Sequence, residues 1–402
     1  LPESGYFISI GGGTNQKPLV DAAISLGLKT ITVDRNDSAV GHGISNIKIL
    51  ESTHEYRKIL NALSHIPLTN KIVGIASRSF GKATFSTAYL AQKLKLKGSL
   101  PEIVKIFEDK RAYLQFLLSQ GLKIPRIYSW TSKSSLNKLI QDFEYPIILK
   151  PSNGSGKLNV EMYDNKDSLK NRIESNYPSP ENFVLQEFII GKEITVCGLI
   201  ANSKFNLISI SDKWTTNKPP FIEIAHTFPS QFQYLEAEIR IFIQNIIYHI
   251  GLENSPFVAE FKVNSLGELF LIECNPEVGG EFLADQLIPN AIHYPYFQSL
   301  IQLATGKKIE PIDKKKVSKS QYHCIFYFLP PDKSNMISSI PNFIKKDKEI
   351  VFFEKNLKEL NTKVNLGQGN VSRVKVVGLS RKNDIPIEDW LNDLTSRIQI
   401  EY

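Results

Sequence analysis

A chain of 402 residues, 42% hydrophobic and 22% charged, has the composition of a globular protein and, at roughly 150 residues per domain, the length for two or three. No apolar run approaches the roughly 18 residues of a membrane span, and the opening LPESGYFISI lacks the basic and apolar regions of a secretory signal, so no membrane partner is expected and the cytoplasm is the expected compartment. The net charge of +7 comes from scattered Lys and Arg with only short runs at 314–316 and 345–348, so nucleic acid is not expected as a partner, and Cys197, Cys274 and Cys324 are too dispersed for a disulfide framework or a zinc site.

In chain order, YFISIGGGTNQKPLVDAAISLGLKTITVDRND reads as strand, glycine turn, amphipathic helix, strand. A second such unit follows in KIVGIASRSFGKATFSTAYLAQKLKL. Ser99 and Glu102 form a capping-box pattern before IVKIF, so residues 1–108 read as an open α/β domain. A helix is expected from near Asp109 to Gly121. Strands then follow closely at YPIILK, FVLQEF, EITVCGLIA, FNLISIS, PFVAEFKV and ELFLIEC, an α+β pattern of antiparallel hairpins over residues 109–312. Residues 313–402 carry YHCIFYFL, EIVFFEK, VSRVKVVGLS and a terminal helix around Trp390. They read as a small closing subdomain without site residues.

The strongest chemical signal is PFVAEFKVNSLGELFLIECNPEVGG. If residues whose numbers sum to 533 face each other across this hairpin, Glu260 stands directly opposite Glu273. Unit charges about 5 Å apart repel by about 3 kcal/mol at an effective dielectric of 20, which calls for a cation or a shared proton. Asn275 falls on the same face as Glu273, with Leu269 and Leu271 expected to continue that face. Three oxygen donors suit magnesium, which takes one or two carboxylates and completes its shell with phosphates and water.

Two weaker signals precede it. In YPIILKPSNGSGKLNV a strand ends at Lys150 and runs into Ser152, Gly154, Ser155, Gly156 and Lys157, whose backbone amides can cradle phosphate oxygens. This is not a Walker A loop, since Pro151 replaces its first glycine and Leu158 follows Lys157. In FVLQEFIIGKEITV, Glu187 and Glu193 flank a glycine turn, and a backbone of this kind can meet an adenine edge while a carboxylate takes ribose hydroxyls.

The order Lys110, Lys150, glycine loop, Glu187, Glu193, Glu260, Glu273, Asn275 resembles the ATP-grasp superfamily over almost the whole chain, with a carbamoyl-phosphate-synthase-like domain order. The resemblance implies an ATP-grasp fold in residues 109–312, an N-terminal open α/β pre-ATP-grasp domain in 1–108 and a small C-terminal subdomain in 313–402. It implies ATP and Mg2+, with Mn2+ as an alternative. Lys110, Lys150 and the loop from 152 to 157 would meet the phosphates, Glu187 with Phe188 and Ile189 the adenine, Glu193 the ribose, and Glu260, Glu273 and Asn275 the metal. The activity implied is a ligase joining a small carboxylate to an amine through an acyl phosphate, and a homodimer would match the family.

NPEVGGEFLADQLI and DKWTTNKPPFIEIAHTFPS resemble the L-amino acid ligase and carnosine synthase-like branch most. That branch commonly has Arg where Glu277 stands. Lys213 and His226 are the expected substitutes for its guanidinium, and Glu277 with Glu281 is expected to meet a substrate ammonium. Alternatives are a bicarbonate-using ATP-grasp carboxylase and a non-catalytic ATP-binding homologue. A nicotinamide oxidoreductase, suggested by Gly11, Gly13 and Asp34, fails at the third glycine position, which is Gln16.

Overall fold

The structure is a computed structural model that describes residues 5–154, 156–280, 282–313 and 320–402. Strands β1 (Tyr6–Ile10), β2 (Lys29–Val33), β3 (Ile47–Ile49) and β4 (Ile72–Ser77) form a parallel sheet in the order β3-β2-β1-β4. Helix α1 (Lys17–Ser25) crosses from β1 to β2 and α2 (Tyr56–His65) from β3 to β4, while α3 (Lys82–Lys93) follows β4. Every residue of β1 is buried, the mark of a strand covered on both faces. The expected capping box does not form: α4 (Pro101–Lys105) has Leu100 as its N-cap, and Ser99 Oγ instead donates to the Asn254 carbonyl.

Helix α5 (Lys110–Ser119) is capped by Asp109, whose side chain accepts from Ala112 N at 3.1 Å. Gly121, at φ +83°, turns the chain out of it. Next come β5 (Ile127–Tyr128), α6 (Lys133–Leu139), β6 (Ile147–Pro151), β7 (Glu161–Tyr163), α7 (Lys166–Ser175) and β8 (Phe183–Glu187). The four strands make an antiparallel sheet in the order β5-β8-β6-β7, with Leu136 of α6, Ile140 just after it, and Leu169 and Ile173 of α7 packed on Ile147, Leu149 and Leu185.

The largest sheet has eight strands. It contains β9 (Lys192–Ala201), β10 (Lys204–Thr215), β11 (Glu223–Phe228), β12 (Ser255–Val263), β13 (Leu269–Asn275), β14 (Gln321–Phe328), β16 (Glu349–Asn356) and β18 (Lys375–Lys382), in the order β13-β12-β9-β10-β11-β14-β18-β16. The short strands β15 (Asn335–Met336) and β17 (Lys363–Val364) pair apart from it. Helix α8 (Glu236–Ile250), ended by Gly251 in the left-handed region, lays Ile239, Ile243, Ile246 and Ile247 against Ile194, Val196, Phe257, Ala259 and Phe261. Alternation along β9 and β12 then turns Glu193, Thr195, Glu260 and Lys262 to the other face. After α9 (Ile288–Ile292), α10 (Tyr296–Ala304) packs against α1 and β4 and joins the parallel-sheet domain to the rest. The strands β14, β16 and β18 do not build a sheet of their own: β14 pairs with β11, so one sheet crosses residue 312, and α11 (Ile387–Thr395) covers it with Trp390 buried.

Candidate active site

On the free face of the large sheet, β12 and β13 pair with Glu260 directly opposite Glu273 and Val258 opposite Asn275. The register slips between Glu260 and Phe261, where Phe261 meets Leu271 and Ile272 is left as a bulge. The bulge reverses the alternation on the turn side, so Leu269 and Leu271 belong to the core beneath the sheet rather than to the carboxylate face expected for them. Asn275 Nδ2 donates to Glu273 Oε1 at 3.1 Å, which keeps amide and carboxylate on one face.

Lysines from three elements converge on these acids. Lys110, the first residue of α5, lies 3.3 Å from Glu273 Oε1, and its ammonium also donates to the Gly154 carbonyl. Lys157 lies 3.7 Å from Glu260 Oε2. Lys150, near the end of β6, is pulled down to about 8 by burial, against the upward pull of Glu273. The loop after β6 has Gly154, Gly156 and Lys157 at φ of +108°, +76° and +63°, the left-handed backbone from which amide-lined concavities are made. Ser152 is spent inside the protein, its hydroxyl on the Glu181 carbonyl and its amide on the Asn182 carbonyl, so it roots this loop. Ser155 and Glu281 lie outside the described residues.

The connection between β8 and β9 forms one wall. Glu187 Oε2 accepts from Arg126 N at 3.1 Å, Phe188 N donates to the Pro146 carbonyl, and Ile189 is buried. The Phe188 ring stacks on Phe221, and the Lys262 ammonium lies 4.0 Å from its centroid. Glu193 follows within 3.8 Å of both Lys262 and Lys213. Between them Gly191 passes so close to Val263 that a β carbon would overlap that carbonyl oxygen.

The floor is a charged network that the sequence showed only in part. Lys213 is fully buried and lies 2.6, 3.2 and 3.7 Å from Glu260, Glu223 and Glu193. Burial alone would lower its pKa, but the three carboxylates together hold it well above the ordinary lysine range. Burial likewise pushes Glu260 up, yet Lys213 and Lys157 outweigh it and hold that carboxyl at about 2. Lys213 is therefore committed to these carboxylates, not an open cation awaiting a ligand. His226 is its neighbour across the β10–β11 pair, with Nε2 3.8 Å from Glu223 and Nδ1 buried without a partner. Arg373 and Asn370, from the stretch expected to carry no site residues, reach the same floor: Arg373 Nη1 is 3.2 Å from Glu223 Oε2, and Asn370 Oδ1 accepts from Glu223 N.

Glu277 is near enough to feel the charges of Glu273 and Lys110, but its hydrogen bonds lie outside this network. Its Oε1 accepts from Gly81 N at 2.6 Å and Thr84 Oγ1 at 3.1 Å, at the start of α3. A carboxylate suits a helix N-terminus, although burial still raises Glu277 to about 7. Arg78, on the preceding turn, pairs with Asp285 at 3.4 Å, so two contacts tie the parallel-sheet domain to the segment after β13. A cavity of about 60 Å³ lies at this junction, lined by Thr84, Thr87, Ala91, Pro256, Glu277 and Leu303 among others.

The donor set fits a hard divalent cation with phosphates. Among the described residues no cluster of three or more His, Cys, Asp and Glu could hold a metal alone. Two opposed carboxylates and an amide form an incomplete oxygen shell of the kind that phosphate oxygens and water finish. Lysines surround it as counter-charges to those phosphates.

A family model described as an ATP-grasp domain matches residues 143–285. Over 334 residues the chain is 22% identical to the carbamoyl phosphate synthase large chain, C-terminal section, of Aquifex aeolicus (strain VF5), covering 77% of this chain and 56% of that one, so it spans little more than half of this relative. The crystal structure of L-amino acid ligase from Bacillus licheniformis matches with a TM-score of 0.78 at 16% identity, covering 99% of this chain and 98% of that chain. That of phosphoribosylglycinamide synthetase from Anaerococcus prevotii matches with a TM-score of 0.76 at 15% identity, covering 99% of each. At these identities the likeness establishes the fold. Residues 143–285 are an ATP-grasp domain, and the chain has the ATP-grasp fold over nearly its whole length.

Proposed function

We propose that this protein is an ATP-dependent ligase that activates a small carboxylic acid as an acyl phosphate and joins it to an amine, with an amino acid as one substrate. The observation that carries the reading is the direct opposition of Glu260 and Glu273 beside Asn275, faced by Lys110 and Lys157 from two other elements. The likeness to an L-amino acid ligase over 99% of the chain supports the amino-acid class.

In this reading Lys110, Lys150 and the amides near Gly154 and Gly156 hold the phosphates. Phe188, Ile189 and Glu187 line the adenine wall, and Glu193 takes the ribose. Magnesium held by Glu260, Glu273 and Asn275 would draw charge from the transferring phosphoryl group, and manganese suits the same donors. A carboxylate oxygen attacks the γ-phosphorus as the bond to the bridging oxygen breaks, leaving ADP and an acyl phosphate. The amine nitrogen then attacks the acyl carbon; phosphate leaves with the electrons of the broken carbon–oxygen bond, and the nitrogen releases a proton. Lys213 keeps Glu260 ionised and in place. The glycine loop excludes water from the acyl phosphate.

Phosphate release from ATP and Mg2+ across amino acids paired with amines tests this, with bicarbonate as a separate arm and a Glu273→Ala variant beside it. Release that needs an amino acid and disappears in the variant supports the ligase. Release driven by bicarbonate alone would move the assignment to a carboxylase, and nucleotide binding without turnover under any pairing would make the protein a non-catalytic ATP binder.

A further inference from the structure

The stretch 366–373, LGQGNVSR, lies more than 200 residues beyond the glycine loop in sequence and touches it in space. Gly369, at φ +64°, passes so near Gly156 that a β carbon would overlap the Gly156 carbonyl oxygen. Asn370 N donates to that same oxygen at 3.1 Å. The Asn370 side chain faces the sheet and accepts from Glu223 N at 3.1 Å. Arg373 braces this arrangement: its Nε donates to the Asn370 carbonyl at 2.8 Å, its Nη1 lies 3.2 Å from Glu223 Oε2, and the guanidinium lies 4.0 Å from the Tyr327 ring centroid.

These contacts complete a circuit. From Gly156 the path runs through Asn370 to Glu223, then to Lys213 at 3.2 Å, to Glu260 at 2.6 Å, to Lys157 at 3.7 Å, and back along the backbone to Gly156. Besides the Lys110 ammonium on the Gly154 carbonyl, the loop is therefore held at two points, one charged and one neutral. The charged point, Lys157 on Glu260, must rearrange when phosphates and a cation enter the same space. The neutral point is a backbone hydrogen bond outside the carboxylate cluster, so nucleotide can bind without displacing it.

We infer that Asn370 is a positioning residue that latches the glycine loop shut over the bound nucleotide, with Gly369 admitting the close approach. This rests on the ligase reading for its chemical consequence, although the latch itself is a statement about the loop. While the latch holds, water is kept from the acyl phosphate and the amine is the nucleophile that reaches the acyl carbon. When it fails, water attacks instead: the carboxylic acid is regenerated, phosphate is released, and ATP is consumed without an amide.

The test compares the parent with Asn370→Pro, which removes the backbone N–H that holds the Gly156 carbonyl, and Gly369→Ala, which attacks the same contact by overlap. Two readouts are taken with melting curves beside them. The first is phosphate released per amide formed, which rises about fivefold in Asn370→Pro for one lost hydrogen bond of ordinary strength. A merely structural role would slow both products together and leave the ratio unchanged. The second is tryptic cleavage after Lys157 with Mg2+ and a non-hydrolysable ATP analogue, against which the parent is protected and both variants are not.

Either variant decides if the other does not fold. Parent-like protection in a folded variant overturns the latch, as does an unchanged ratio. If the parent makes no amide from any pair of substrates, the ligase reading fails while the protease readout still judges the latch.

Discussion

Lys213 and Glu260 sit on strands that do not touch, β10 and β12, and meet at 2.6 Å across the intervening β9. Thr195, the residue of β9 paired with Glu260, has its hydroxyl buried and unpartnered beneath this bridge. Removing one member of a buried ion cluster costs about 3–5 kcal/mol because it strands the remaining charges. Lys213→Met is therefore expected to lose about that much in urea unfolding. Adding Glu223→Gln should recover part of it, and a double variant no more stable than Lys213→Met would sever the energetic link between the two residues.

Lys150 gives the site a pH dependence. With its pKa drawn down to about 8 by burial, it is cationic below that pH and neutral above. If the cation meets phosphate, ATP affinity measured by calorimetry should fall as pH rises past 8, approaching about tenfold per pH unit in the nucleotide-free protein. Lys150→Arg stays charged throughout and should flatten the profile. A parent profile flat from pH 7 to 9.5 would remove Lys150 from phosphate binding.

His323 on β14 predicts an acid liability away from the site. Burial holds it neutral with a pKa near 4, below its ordinary 6.5, and its Nδ1 has no partner. Between those values the unfolded chain binds a proton that the folded chain refuses. Stability therefore falls as pH drops from 6.5 to 4, and the penalty is complete below 4. His323→Leu should make the slope of unfolding free energy across that window shallower. An unchanged slope would mean that other groups govern it.

Gly191 is the tightest point of the wall between β8 and β9. Alanine there must displace the Val263 carbonyl, an overpacking that typically costs about 1–3 kcal/mol. Because Glu187, Phe188 and Ile189 are carried on the same connection, Gly191→Ala should weaken nucleotide binding as well as lower the melting temperature. Loss of stability with unchanged affinity would place the strain elsewhere.

The hairpin shows how far a local pattern reaches. The pairing of residues whose numbers sum to 533 opposes Glu260 and Glu273, and it holds only beyond the bulge; on the turn side the pairs shift by one residue, to Phe261 with Leu271 and Val263 with Leu269. It misplaced Leu269 and Leu271, since the bulge at Ile272 depends on the fit of β12 to its neighbours and leaves no mark in residue types. The same physics hid Glu223: a second irregularity between Trp214 and Thr215 skips Ile224 and brings Glu223 to the face of His226, which strict alternation denies it. Arg373 and Asn370 were beyond reach for a different reason. They meet Glu223 across about 150 residues of chain, and ordinary loop composition around them carries no motif. Glu277 stood out because it broke a family pattern, but its partners, Gly81 and Thr84, belong to another domain.

The sheet that runs through residue 312 has a consequence for synthesis of the chain. Before β14 emerges from the ribosome, β11 presents an open edge of unpaired amides and carbonyls, and β9 through β13 form a sheet with one side unfinished. Such an edge invites pairing with any other exposed strand. The last quarter of the chain thus acts as a built-in guard, and a nascent or proteolysed fragment ending near 312 would carry the Glu260–Glu273 hairpin and yet be prone to associate with itself.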